Sequence, residues 1–304
     1  MKDFVTPKQV ARAIGVSEAS LKRWCDKSLL PVQRTVGGHR RLPMPGVIEF
    51  LRNHHYDLVE PEILGLPATS GKTAVVLERA AGQFRDALES GNEEQCRQLI
   101  LDLYLARRPL CEIGDVAIAA AFHQLGERWQ HGDVEVYQER RACEICLRIL
   151  HELRAVLVPP APDAPRAIGG TLAGDESSLP TAMVELVLRE GGWRAETLGT
   201  GHPAPTLCAA IRDIRPRLFW LSASYINDAD LFVSDCETIY RTAVDSGVAL
   251  VVGGRALEQT IRQRIQYAAY CDNLRHLTSF AETFHPRAVA SSAGGGGSFK
   301  QGQN

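Results

Sequence analysis

Long apolar runs are missing from this 304-residue chain, and nothing approaches the roughly 20 residues that a membrane-spanning helix needs. The N-terminus, Met1-Lys2-Asp3-Phe4, opens a polar helical pattern and has no signal-peptide character, so a cytoplasmic location is expected. Cysteine occurs eight times but never in the arrangement that tetrahedral zinc requires. Only Cys143 and Cys146 lie close together, and the scatter of the rest argues for reduced thiols rather than a disulfide frame. The close pair reads as two small residues on a helix face, or as a thiol switch if neighbouring charge lowers a thiol pKa. His-Glu-x-x-His is absent, and no Ser/His/Asp set or carboxylate pair stands in a catalytic context. Neither a metal site nor an enzyme is expected.

What is present is a soluble composition, 45% hydrophobic and 23% charged, with a small net charge of −2 that is unevenly spread. Residues 1–55 hold ten Lys or Arg against four Asp or Glu, a balance of +6, which leaves −8 for the remainder. A basic head on an acidic body points to a polyanionic partner for the head alone.

The chain divides into a head, a helical segment and an alternating segment. In the head (1–56), Thr6-Pro7-Lys8-Gln9 is a capping-box start with Pro at the first helical position. Gly15-Val16 makes a tight turn, Ser17 caps a second helix from Glu18 to about Lys27, and Gly37-Gly38 signals a hairpin. A short helix from Pro45 to His54 follows. Residues 57–72, broken by Pro61, Gly65, Pro67 and Gly71, read as a linker. Within it, Gly65-Leu66-Pro67-Ala68-Thr69-Ser70-Gly71-Lys72-Thr73 is a poor phosphate-loop match, because its glycine spacing is one residue too long and no strand precedes it.

Residues 73–158 carry four helical patterns, as in a four-helix bundle, and 159–166 form a stiff Pro-rich linker. From 167 to 287, strands (Ala167–Leu172, Arg194–Leu198, Leu218–Ala223, Val248–Val252, Leu274–Leu277) alternate with helices (Thr181–Glu190, Thr206–Ile214, Ala229–Asp245, Leu257–Tyr267). This is the pattern of a flavodoxin-like, doubly wound parallel sheet. The tail, 288–304, reads as disordered. The fold class is therefore multidomain, α and α/β.

In the head, a helix, a tight turn and a second helix form a helix-turn-helix, and the hairpin supplies a wing. A second helix of this kind fits the major groove. Ser20, Lys22 and Arg23 lie on it, and Arg34, His39, Arg40 and Arg41 lie on the wing, placed to reach phosphates or bases. Leu21 and Trp24 pack inward. The alternative is a solvated charge cluster on a protein-binding module. The stretches Thr6-Pro7-Lys8-Gln9-Val10-Ala11, Gly15-Val16-Ser17, Leu21-Lys22-Arg23-Trp24 and Arg34–Leu42 resemble the MerR-type winged helix in its compact, excisionase-like form. The long dimerising coiled coil of fuller MerR proteins is not found after it.

In the bundle, Trp129 is followed after nine residues by Glu139-Arg140. Taken alone, that reads as a core Trp with two charges on a solvated face. The domain order, however, resembles the light-sensing cobalamin regulators of the CarH/LitR type, which carry Trp, nine residues, then Glu-His. Trp129 and Glu139 match that motif, and Arg140 stands in place of its His. The family's Asp-x-His-x-x-Gly aligns with Asp175-Glu176-Ser177-Ser178-Leu179-Pro180, so Ser177 takes the position of the cobalt-ligating His.

Ser222-Ala223-Ser224 aligns with the family's Ser-rich stretch, and Gly253-Gly254 with its glycine loop. The resemblance thus marks Trp129, Glu139, Arg140, Asp175, Ser177, Ser222, Ser224, Gly253 and Gly254 as ligand-pocket candidates. A Ser hydroxyl is a poor cobalt ligand and an Arg cation is none. No cofactor is therefore expected, the alternative being a cobalamin that is not His-ligated.

The expected function is that of a DNA-binding transcription regulator, a repressor acting as a homo-oligomer. Its partner is double-stranded DNA, with a small-molecule or protein effector and no membrane. The alternatives are a cobalamin- or small-molecule-responsive photoreceptor or sensor, a corrinoid carrier, and a thiol sensor.

Overall fold

The computed structural model describes residues 2–54, 56–67 and 77–285. The head is built from β1 (Phe4–Val5), α1 (Pro7–Ala13), α2 (Glu18–Asp26), β2 (Gln33–Arg34), β3 (Arg40–Pro43) and α3 (Met44–His54). Its three strands form an antiparallel sheet in the order β1-β3-β2. Local chemistry fixes both helix starts. Thr6 Oγ1 accepts from the Gln9 backbone N–H at 3.2 Å, while Gln9 Oε1 accepts from that of Thr6 at 2.8 Å. Ser17 Oγ accepts from the Ser20 N–H at 3.1 Å. Leu21 is fully buried with Val10, Leu42 and Val47, and Trp24 packs in tilted contact with Phe50 and Tyr56, ring centroids 5.3 and 5.1 Å apart.

The expected linker, 57–72, is not free along its described part. The Val59 N–H donates to Ala13 O at 2.7 Å, and a short 3-10 helix, Pro61–Leu64, follows. Leu58, Leu64 and Leu66 are buried. Pro and Gly suggested a tether, but three leucines in that segment bury apolar surface against α1, and this outweighs the turn chemistry. Residues 68–72, most of the phosphate-loop-like stretch and the tail at 288–304 lie outside the described residues.

The bundle comprises α4 (Leu77–Ser90), α5 (Glu93–Leu105), a composite third helix and α8 (Val136–Val156). The third helix opens as α6 (Leu110–Glu112), widens into π-type turns over Ile113–Ala119 and ends as α7 (Ala120–Gln130). Phe84, Leu88, Ile100, Leu103, Leu125 and Ile149 fill its core.

The C-terminal domain alternates β4 (Arg166–Gly170), α9 (Ser178–Glu190), β5 (Arg194–Thr197), α10 (Ala204–Ile214), β6 (Leu218–Ser222), α11 (Ala229–Asp245), β7 (Ala249–Gly253), α12 (Gln259–Arg262), β8 (Ala269–Cys271) and α13 (Leu274–Phe284). All sheet pairings are parallel, in the order β5-β4-β6-β7-β8. The order reverses between β4 and β6, where the loops at their carboxyl ends form a crevice.

Two expectations are corrected here. Leu274–Leu277 opens α13 and is not a strand, because Asn273 caps it by accepting from the His276 N–H at 2.8 Å. The last strand is Ala269–Cys271, and the expected helix Leu257–Tyr267 is reduced to Gln259–Arg262. Among the described residues no helix is long and apolar enough to cross a membrane.

Candidate functional site

Two regions carry the predicted residues. On the head, Lys22, Arg23, Arg34, His39 and Arg41 are exposed, and Ser20 is half-buried. Lys22 pairs with Glu18 one turn back at 2.8 Å. The Ser20 hydroxyl is held by Ser17 at 2.9 Å and touches Arg23 Nη2 at 3.4 Å. Arg40 has a different place from the one expected. It donates to Asp26 Oδ1 at 2.7 Å and to Lys22 O at 3.2 Å, so it ties the hairpin to the end of α2. Arg23, Arg34 and Arg41 therefore remain as exposed arginines of α2 and the hairpin, the register placing Arg34 and Arg41 on opposite faces of the hairpin, and Arg40 ties the hairpin to the helix.

The second region is the carboxyl-end rim of the sheet. Asp175 is only 3% exposed, yet its carboxylate is fully used by backbone donors. Oδ1 accepts from the Ser177 N–H at 3.0 Å, and Oδ2 accepts from those of Ser224 and Tyr225 at 2.6 and 3.3 Å. One side chain thus staples the loop after β4 to the loop after β6, across the crevice. Thr171 extends the staple: its hydroxyl donates to Asp175 O at 2.5 Å and accepts from the Gly201 N–H at 2.9 Å. Sequence reasoning missed Thr171, which has no motif of its own.

Ser222 ends β6 in register with Gly253. Gly254 has φ of +122°, and a Cβ there would lie 2.2 Å from Ala223 O, so only glycine lets these two loops close. Asp175, Ser177, Ser222, Ser224, Gly253 and Gly254 therefore do converge.

Trp129, Glu139 and Arg140 do not join them. Trp129 is half exposed, Arg140 projects into solvent, and Glu139 lies 3.8 Å from Arg140 and accepts from Cys143 Sγ at 3.5 Å. Among the described residues, no hydrogen bond or ion pair links this trio to the rim.

The nearby thiols do not suit a redox switch. Burial first and then the Glu139 charge push the Cys143 thiol up to about 12, and burial pushes Cys96 to about 12. Cys146 is raised further by burial. Such thiols stay protonated and unreactive at neutral pH.

The rim offers little nitrogen to a metal. Residue 177 is a serine, and the imidazole of His202, in the loop after β5, is engaged 2.7 Å from Leu198 O. A corrinoid that keeps its own base needs no protein nitrogen and fits this donor set. The bundle lies close over the domain. The crevice between them, lined by Leu110, Ile113, Gly114, Leu153, Met183 and Leu186, leaves only about 10 Å³ of free space, far below the roughly 300–1,000 Å³ of ordinary small-molecule pockets.

Comparison with known proteins places this geometry. Residues 80–154 match the family model described as a B12 binding domain. Over 162 residues the chain is 32% identical to the HTH-type transcriptional repressor CarH of Myxococcus xanthus. The match takes in 52% of this chain and 52% of that repressor, so the chain spans about half the length of the curated relative it matches.

Among solved structures, the monomethylamine corrinoid protein of Methanosarcina barkeri aligns with a TM-score of 0.52 at 15% identity, covering 69% of this chain and 100% of that one. It shares the fold of helical bundle and parallel α/β sheet. A cobalamin-binding protein from Desulfitobacterium hafniense DCB-2 aligns at 14% identity with a TM-score of 0.37, over 66% of this chain and 96% of that one. The match of the bundle to a B12 binding domain overturns the expectation of no cofactor. That expectation rested on the residues at positions 140 and 177 and gave too little weight to the bundle as a whole.

Proposed function

We propose that this chain is a sequence-specific DNA-binding transcription regulator, a repressor, with a winged helix-turn-helix head and a body that binds cobalamin without a protein imidazole on cobalt. The supporting observation for the head is its set of exposed arginines on the second helix and the hairpin. Arg23 on α2 and Arg34 and Arg41 on the hairpin stand exposed, and Arg40 fixes the two elements to each other. A helix and hairpin so joined suit the major groove and the flanking phosphates. The compact head has no coiled coil of its own, so dimerisation or higher assembly falls to the body. The protein is read as a regulator and not as an enzyme.

For the body, the supporting observations are the B12 binding domain match over 80–154 and the Asp175 staple that shapes the crevice. A bound cobalamin would supply a metal centre and a broad flat ligand. The chain's part is to hold the rim loops in register through Asp175, Thr171, Ser222 and Gly253-Gly254, and to cover the opening with the bundle. Ser177 would offer the metal no nitrogen, so the cofactor would keep its own base.

The test has two readouts. In a mobility-shift assay on selected duplexes, neutralising about four to six phosphates per head gives a log–log salt slope of about −4 to −5 per head. Arg23→Ala with Arg41→Ala should abolish the shift, and unchanged binding refutes the head assignment. The absorption spectrum of protein prepared with adenosyl- or methylcobalamin decides the body. A stoichiometric corrinoid band that Ser177→Ala leaves unaltered supports a cofactor that keeps its own base, and no band refutes cobalamin binding.

A further inference from the structure

One carboxylate touches all three parts of the molecule. Glu190 ends α9 of the α/β domain, and its side chain is only 10% exposed. Its Oε1 accepts from Arg52 Nη1 and Nη2, both at 3.3 Å, and Arg52 lies on α3 of the head. Its Oε2 accepts from the Leu110 N–H at 2.8 Å, at the first residue of the composite bundle helix. Arg52 also donates to Arg108 O at 3.4 Å and lays its guanidinium over the Tyr104 ring at 3.8 Å, so it grips the bundle directly. Burial raises the Tyr104 phenol to about 12, which keeps that ring neutral beneath the cation.

This junction is long in its Arg52 contacts and incomplete. Arg52 Nε is buried and has no hydrogen-bond partner. A half-buried ion pair with an unsatisfied donor returns only part of its desolvation cost, which is the energetic character of a contact that can be broken. Its position matters equally. Leu110 lines the crevice of about 10 Å³ between the bundle and the α/β domain, so widening that gap draws the Leu110 N–H away from Glu190. The exposed Arg23, Arg34 and Arg41 belong to α2 and the hairpin, whereas Arg52 belongs to α3, so the junction holds the head by a different element from those that carry these exposed arginines.

We propose that Glu190 and Arg52 form a releasable latch that holds the head in one orientation on the body, and that opening of the bundle–domain gap releases it. The latch does not depend on DNA or cobalamin binding, and its test uses neither. The full chain carries spin labels on unnatural side chains at Val36, on the hairpin, and at Asp245, at the end of α11, and their distance distribution is measured.

The unaltered protein should give one narrow distribution. Glu190→Gln, which keeps an acceptor for Leu110, and Arg52→Met, which leaves the Glu190–Leu110 bond, should each broaden it. The double variant should broaden it no further than either alone. Circular dichroism of each variant checks the fold, and Glu190→Gln, as the isosteric change, keeps the test valid if Arg52→Met does not fold. The population of the displaced orientation should rise about tenfold, the low end of coupling for close charge pairs. A distribution already broad in the unaltered protein, one still narrow in the folded variants, or additive broadening in the double variant overturns the latch.

Discussion

Replacing Asp175 by Asn is the most direct test of how the rim is built. The change is nearly isosteric, so it leaves packing intact and alters only charge and donor pattern. Asp175 offers two acceptor oxygens to three backbone N–H groups, from Ser177, Ser224 and Tyr225. An amide has one oxygen. If that oxygen keeps Ser177, the Asn NH₂ faces the Ser224 N–H, donor against donor, at a separation that is now 2.6 Å, and the longer 3.3 Å contact with Tyr225 is lost with it. Hydrogen bonds to a charged acceptor contribute about 1.5–3 kcal/mol each, and a buried unsatisfied donor costs about 1–3 kcal/mol.

The lower ends of these ranges give a local loss of about 2–3 kcal/mol. At 1.4 kcal/mol per decade, local opening becomes roughly 30- to 100-fold more frequent. Amide hydrogen exchange reads this directly. The Ser224 and Tyr225 amides should exchange faster by that factor, while amides in the core of β6, such as Phe219, should change little. If Ser224 and Tyr225 stay as protected in the variant as in the unaltered chain, the carboxylate is not what joins the two loops and the account of the rim fails.

Two further outcomes follow from the geometry. Arg41→Ala should weaken DNA binding and lower the salt slope by about one unit. Arg40→Ala should weaken binding with little change in slope while amide exchange in the hairpin accelerates, because Arg40 is committed to Asp26; equal slope changes in the two would refute that division. Asp115 caps α13 from the bundle by accepting from the Leu274 and Arg275 N–H groups at 2.9 and 3.2 Å, and burial raises its pKa despite those donors and the nearby Arg275 and His276. An acid whose folded-state pKa lies above its unfolded value contributes most below the unfolded pKa, and that contribution is lost as pH rises through the folded one. Asp115→Asn should therefore compare best with the unaltered protein at neutral pH, with the difference closing as pH falls through the carboxylate range. Denaturation curves across that range check it, and a difference that shifts in favour of Asn as pH falls would count against the assignment.

Much of the fold was legible because its cues are local. The Thr6 and Ser17 caps, the Gly37-Gly38 hairpin and the inward Leu21 each depend on residues within a few positions of one another, and the structure keeps all of them. The alternation after residue 166 gave a parallel sheet in the right class. It failed at the last strand, where Leu274–Leu277 looks apolar enough for a strand but is started as a helix by Asn273 and Asp115. It failed also at 57–67, where Pro and Gly obscured three buried leucines. The rim candidates came from a family resemblance, and Asp175 proved to organise the rim instead of facing a ligand with free oxygens.

The sequence by itself determined where helices begin, which residues form cores, that the head is basic, and that no histidine stands at 140 or 177. Side-chain chemistry and short-range spacing are enough for those. Only the tertiary structure decided that Arg40 is spent on Asp26, that Asp175 joins two loops 49 and 50 residues apart in the chain, and that Glu190 meets Arg52 across 138 residues. A carboxylate carries no mark in the sequence of which cation or amide will reach it. That choice is made when packing brings distant elements together and leaves each buried charge the partners that happen to be within reach.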